Sequence, residues 1–129
     1  MSANPFAHLA AAARGDIEAQ RVLAMLAVEG ASASPGDAES ILREGLIFAR
    51  LAAAQGDTGD EGRVIAMLAL LAEVSGDNAP YGEAIARYAL LDERGVEVPG
   101  MTLEMLSDHA PAEVMLQAKC FHQLIQEVA

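Results

Sequence analysis

The sequence predicts an all-α fold, and three observations carry that prediction. Small helix formers dominate, with 27 Ala and 15 Leu against 3 Phe, 2 Tyr and no Trp, and Ala and Leu stand at or near the top of the helix-propensity scale. Gly-Asp pairs punctuate the chain at Gly15-Asp16, Gly56-Asp57 and Gly76-Asp77. Two stretches of the first half recur in the middle of the chain at a spacing typical of helical repeats. Sandwiches and barrels need the β-branched and aromatic residues that are scarce here. The positive mean hydropathy argues against disorder.

Each element follows from local signals. Helix 1 is expected over about Asn4–Arg14, with Pro5 at its first position, where proline is tolerated. Gly15 ends it and Asp16 opens the next helix: glycine accepts the positive φ of a helix C-terminus, and an Asp carboxylate accepts the N–H groups of a first turn. Helix 2 is expected over Ile17–Glu29 with Gly30 as its stop. Ala31–Pro35 reads as a loop, and Ser34 with Asp37 resembles a capping box with Pro35 at N1. Helix 3 runs to Gln55, helix 4 over Gly59–Ser75, and helix 5 over Ala79–Arg94 between Asn78 as cap and Gly95 as stop. Val96–Gly100 reads as a linker, Thr102–Ser107 as a short helical turn, and Pro111–Val128 as the last helix.

The recurrence is specific. Ala11-Ala12-Ala13-Arg14-Gly15-Asp16 returns as Ala52-Ala53-Ala54-Gln55-Gly56-Asp57, and Arg21-Val22-Leu23-Ala24-Met25-Leu26-Ala27 returns as Arg63-Val64-Ile65-Ala66-Met67-Leu68-Ala69. A weaker echo links Gly45–Arg50 with Gly82–Arg87. The repeat unit is a helix hairpin of roughly 40 residues, and about three such hairpins must stack to bury their apolar faces. The expected fold is a short right-handed α-solenoid of about three antiparallel helix hairpins with a C-terminal capping helix. It forms one domain, 1–129, with repeats near 4–30, 37–76 and 79–108 and the cap over 111–128.

Ala12-Ala13, Gly15, Ala19-Gln20, Leu23-Ala24 and Gly30 stand in the register of Sel1-like repeats, relatives of the tetratricopeptide repeat. Ala52-Ala53, Gln55-Gly56, Ile65-Ala66 and the aromatic Phe48 fit a second copy. The chain resembles that family over about residues 9–95. Ala27 stands where the family has Tyr, and the family's Gly-x-Gly-Val loop is absent after Gly30. The resemblance implies a non-catalytic interaction scaffold whose groove is lined by the first helix of each hairpin and takes a peptide or protein partner.

Charge narrows the function classes. Nineteen acids against eight Lys and Arg give a net charge of -11, which repels phosphate backbones and anionic lipid surfaces, so neither nucleic acid nor membrane is expected as a partner. A single cysteine, Cys120, forms no internal disulfide, and a reducing, cytoplasmic setting fits it.

Candidate chemistry is thin. His8, His109 and His122 have no i, i+3 or i+4 partner among themselves, so no metal and no cofactor is expected. Cys120 and His122 are two apart and do not share a helix face; Cys120 is expected in the core, as are Met25 and Met67. An enzyme built on His109, His122 and Cys120, or an accessory domain of a larger enzyme, are the alternatives to an interaction module. Gly45 and Gly82 hold matching repeat positions, where close helix packing is expected. Val114, Ala118, Phe121, Leu124, Ile125 and Val128 form an apolar stripe, read as a cap on helix 5 or a homodimer seam. Arg50 and Arg87 are the candidate binding residues. Arg87 has Glu83 four residues earlier, while Arg50 has no acid at i±3 or i±4. Its partner is expected to be an acid on another helix (Glu18 or Asp92) or a carboxylate of a bound partner.

Overall fold

The computed structural model describes residues 5–97 and 112–128. Among the described residues all regular structure is helical: α1 (Pro5–Ala13), α2 (Ile17–Ala33), a 3-10 turn (Pro35–Asp37), α3 (Ala38–Gln55), α4 (Thr58–Ser75), α5 (Ala79–Glu93) and α6 (Ala112–Val128). The turn expected at Thr102–Ser107, most of the Val96–Gly100 linker, Met101, Met105 and His109 lie outside the described residues.

The chain forms two compact units, Met1–Met67 and Leu68–Ala129. In the first, α1 packs on α2 and α2 packs on α3. The facing surfaces are built mostly from alanine. Ala19, Ala24, Ala27 and Ala31 of α2 and Ala38, Ala49 and Ala52 of α3 are buried, with Leu42 and Leu46 filling the wider gaps. Short side chains let helix axes approach toward the low end of the usual 8–10 Å range. In the second unit α6 packs on α5; Ile85, Tyr88 and Leu91 of α5 and Val114 and Ala118 of α6 are buried.

One helix boundary and the role of one glycine differ from expectation. Gly30 does not stop α2, which continues to Ala33. Its φ is not positive, since only Gly15, Gly76 and Gly95 take left-handed backbone among the described residues. The stop comes instead from Ser34: the residue before a proline is pushed out of the α region, and Ser34 sits at φ -131, ψ 75. Its side chain makes no capping bond, so the expected capping box does not form. Gly56 also lacks positive φ, at -99. A Cβ there would come 2.6 Å from Ala52 O and 2.7 Å from Asp60 Cγ, so this glycine is required by close approach and not by backbone conformation.

Burial separates the two repeat-equivalent methionines. Met67 is buried, whereas Met25 is 50% exposed, against the expectation that both are core. The buried face of α2 runs through Gln20, Ala24, Ala27 and Ala31, and Met25, one residue past Ala24, is turned about 100° away from it. Cys120, expected in the core, is exposed. Within the C-terminal stripe Val114 and Ala118 are buried and Phe121 half-buried, while Leu124 is exposed.

Gly45 shows what the alanine interface tolerates. A Cβ at this position would collide with Ala27 Cβ and reach 3.0 Å from Met67 Cε. The alanine methyl is rigid and cannot yield. Gly82 is buried as well. Gly45→Ala is expected to destabilise by roughly 1–3 kcal/mol through overpacking, although an unconstrained helical glycine gains about 1 kcal/mol from the same change. Gly36→Ala, in open space, is the control and should leave stability within about 0.5 kcal/mol. Urea denaturation of the three proteins measures both. A Gly45→Ala protein as stable as wild type contradicts the packing account.

Candidate functional site

The Gly-Asp corners act as the sequence implies at the level of the cap. Asp16 Oδ1 accepts from Glu18 N (3.0 Å) and Ala19 N (3.3 Å). Asp57 Oδ1 accepts from Gly59 N (2.9 Å) and Asp60 N (3.3 Å), the same i+2 and i+3 pair. Asp77 Oδ1 accepts from Ala79 N at 3.0 Å, and the side chain of the neighbouring Asn78 makes no capping bond.

The second corner leads into the most strongly organised polar cluster of the first unit. Asp60, in the first turn of α4, is only 2% exposed. Arg21 of α2 grips it with one edge of its guanidinium, Nε to Oδ1 at 2.8 Å and Nη2 to Oδ2 at 2.7 Å. Asp57 N donates to Oδ2 at 3.0 Å, and Arg63 Nη1 lies 3.5 Å from Oδ1. Arg21 also holds Glu18 at 2.6 Å. The Arg21 bond is the main reason the Asp60 carboxyl titrates below the ordinary carboxylate range, against the opposing effect of burial. Arg21 is in turn held charged by the same bond. The sequence marks Asp57 as the cap of this corner and gives Asp60 no separate role. The available signal was that Asp60 precedes Arg63 by the same three residues that separate Glu18 from Arg21.

A second polar link joins α2 to α1 and α3. Gln20, buried on α2, donates through Nε2 to Ala12 O at 3.1 Å. Gln55 Nε2 donates to Gln20 Oε1 at 2.9 Å and to Gly15 O at 3.1 Å. Both clusters satisfy their own groups and are structural.

The expected binding residues are already engaged. Arg87 Nε donates to Glu83 Oε2 at 2.7 Å, the pair its i, i+4 spacing predicts. Arg50 is half-buried on α3 and takes part in an interaction within the chain. The lack of an acid one turn away therefore does not leave it free. On the neighbouring surface of α3, Ile47 and Leu51 lie one turn apart and are 57% and 44% exposed.

The residues considered for catalysis do not assemble. His122 Nε2 lies 2.8 Å from Glu93 Oε1, Cys120 is exposed, and His109 lies outside the described residues. Among the described residues no group of three His, Cys, Asp or Glu could hold a metal, and no helix is long and apolar enough to cross a membrane.

Between α5 and α6 lies an open cavity of about 270 Å³. Ile85, Ala86 and Ala89 of α5 and Met115 and Ala118 of α6 form apolar walls, and Lys119 and His122 supply its polar groups. Sequence reasoning missed this site. Its one visible trace was that Lys119 is the only lysine of the chain. No family model, curated protein or solved structure matches the chain.

The Asp60 cluster sets the acid response. A carboxyl whose pKa is lower in the folded state contributes stability above its unfolded pKa and loses it as pH falls through the lowered folded value. Unfolding free energy should therefore drop as pH falls below the ordinary Asp range near 3.8, and the drop should be shallower in Asp60→Asn, which has no proton to take up. Equal slopes in wild type and variant would show that the Arg21 bond does not bias this carboxyl.

Proposed function

We propose that the chain is a non-catalytic protein-interaction module of the Sel1-like, tetratricopeptide-like kind, which binds a segment of a protein partner. The observation that carries this reading is the exposed pair Ile47 and Leu51 on α3. In the family resemblance, α3 is the first helix of its hairpin and so lines the binding groove. Two large aliphatic side chains one turn apart contribute little to folding when they face water, and they suit an apolar anchor from a partner. Residues 45–56 around them contain Arg50 and no acid in a chain of net charge -11.

Repeated construction supports the same reading. The caps at Asp16 and Asp57 match bond for bond, and Arg21 and Arg63 each pair with an acid three residues earlier. Arg50 and Arg87 belong to this reading as residues that hold a partner's carboxylate or C-terminus. A guanidinium has five donors, so one can bond inside the chain while another reaches out. The free, exposed Cys120 fits a reducing, cytoplasmic setting.

The test is selection of peptides from a random display library on the immobilised full chain, followed by titration against Ile47→Asp/Leu51→Asp. Both positions are exposed, so the variant should keep the wild-type helical spectrum and melting temperature. Selected peptides should bind the variant at least tenfold more weakly. Failure to enrich any peptide, or equal binding to the variant, would contradict the proposal.

A further inference from the structure

We infer that the α5–α6 cavity is a binding site for a small monocarboxylate with a hydrocarbon or single-ring body, seated on Ile85, Ala89 and Met115 with its carboxylate on Lys119. This site is separate from the α3 surface and does not depend on the interaction reading.

Three observations select the ligand. The walls are aliphatic, and the space of about 270 Å³ lies just under the usual range for small-molecule pockets. The charge complement is specific. Lys119 is the sole lysine of a chain with net charge -11, it lines this cavity, and among the described residues it makes no ion pair. The other polar lining residue, His122, is held by Glu93 through Nε2, so the Glu93 carboxylate is directed to His122 and Lys119 remains the cation to be matched.

The third observation separates a free small molecule from a peptide. The cavity is lined by side chains of two helices whose backbone N–H and C=O groups are bonded along the helix. A peptide main chain entering it would bury amides without partners, which is unfavourable by about 1–3 kcal/mol for each group. A hydrocarbon with one carboxylate buries only apolar surface and places its single polar group at the cation.

The experiment uses the full chain, labelled at the Ile, Met and Ala methyls, and titrates hexanoate and benzoate by NMR, with hexanol, hexylamine and a pentapeptide ending in leucine as comparisons. The expected result is saturable shifts of the Ile85, Ala89 and Met115 methyls with the two carboxylates. Hexanol and hexylamine should bind about two- to fivefold more weakly, as loss of one exposed ion pair implies. Lys119→Gln, an exposed substitution, should bring hexanoate to the level of hexanol, and Ala89→Leu should abolish the shifts by filling the cavity. Absence of saturable methyl shifts with either carboxylate overturns the inference. So does hexanol or hexylamine binding as well as hexanoate, an unchanged affinity in Lys119→Gln, or binding by the peptide in preference to both carboxylates.

Discussion

A carboxylate taken out of water must be met by cations and donors in fixed positions, and Asp60 imposes that requirement on the first unit. Its burial is tolerable because Arg21 reaches it with two parallel bonds from α2 and Asp57 N closes on it from the corner of its own helix. Much of the local sequence follows from this. Gly56 is glycine because a Cβ would strike the buried carboxyl and Ala52 O. Asp57 serves both as cap for α4 and, through its N–H, as partner of Asp60. A buried ion pair is weak evidence for net stability compared with an apolar replacement, but loss of one partner leaves an uncompensated charge. The pair therefore fixes where α4 starts relative to α2 more than it adds stability.

The alanine surfaces of α2 and α3 work with this constraint. Each buried alanine removes little apolar area, so the gain per residue is small. What the interface gains is proximity, most of all at Gly45 against Ala27. Such a surface packs in one register, because a shift would set larger side chains where only hydrogen or methyl fits. The Gln20–Gln55 bond and the Gln20–Ala12 bond tie that register to α1.

The helices and the Asp caps at the Gly-Asp corners were legible in the sequence because their causes are local, whereas the caps expected at Ser34 and Asn78 make no side-chain bond. Ala and Leu propensity, the Gly-Asp corners and the proline at the start of α1 act within a few residues. Gly30 misled because the identity of glycine does not reveal its φ, and Pro35 supplied the stop instead. Met25 misled because equivalence in a repeat is not equivalence in burial: Met25 stands off the buried Gln20, Ala24, Ala27 and Ala31 face of α2, while Met67 lies beside Gly45. The i, i+4 pair of Arg87 and Glu83 was readable, whereas the engagement of Arg50 depends on contacts that spacing cannot show. The α5–α6 cavity left only the uniqueness of Lys119 in the sequence, since its walls come from residues about thirty positions apart whose meeting is a tertiary event.

The two surfaces with functional potential, the Ile47–Leu51 pair on α3 and the cavity at Lys119, belong to separate units, and the first rests on a scaffold of paired polar side chains. For the first unit that scaffold stands on the Arg21–Asp60 pair, and a double-mutant cycle of Arg21→Met and Asp60→Leu tests it most directly. Each single change should destabilise, because each leaves half of the cluster without its partner. The coupling free energy should be about 2 kcal/mol or more, within the range for groups in one buried network. A coupling near zero would contradict the account and show that α2 and α4 are held in register by something other than this pair.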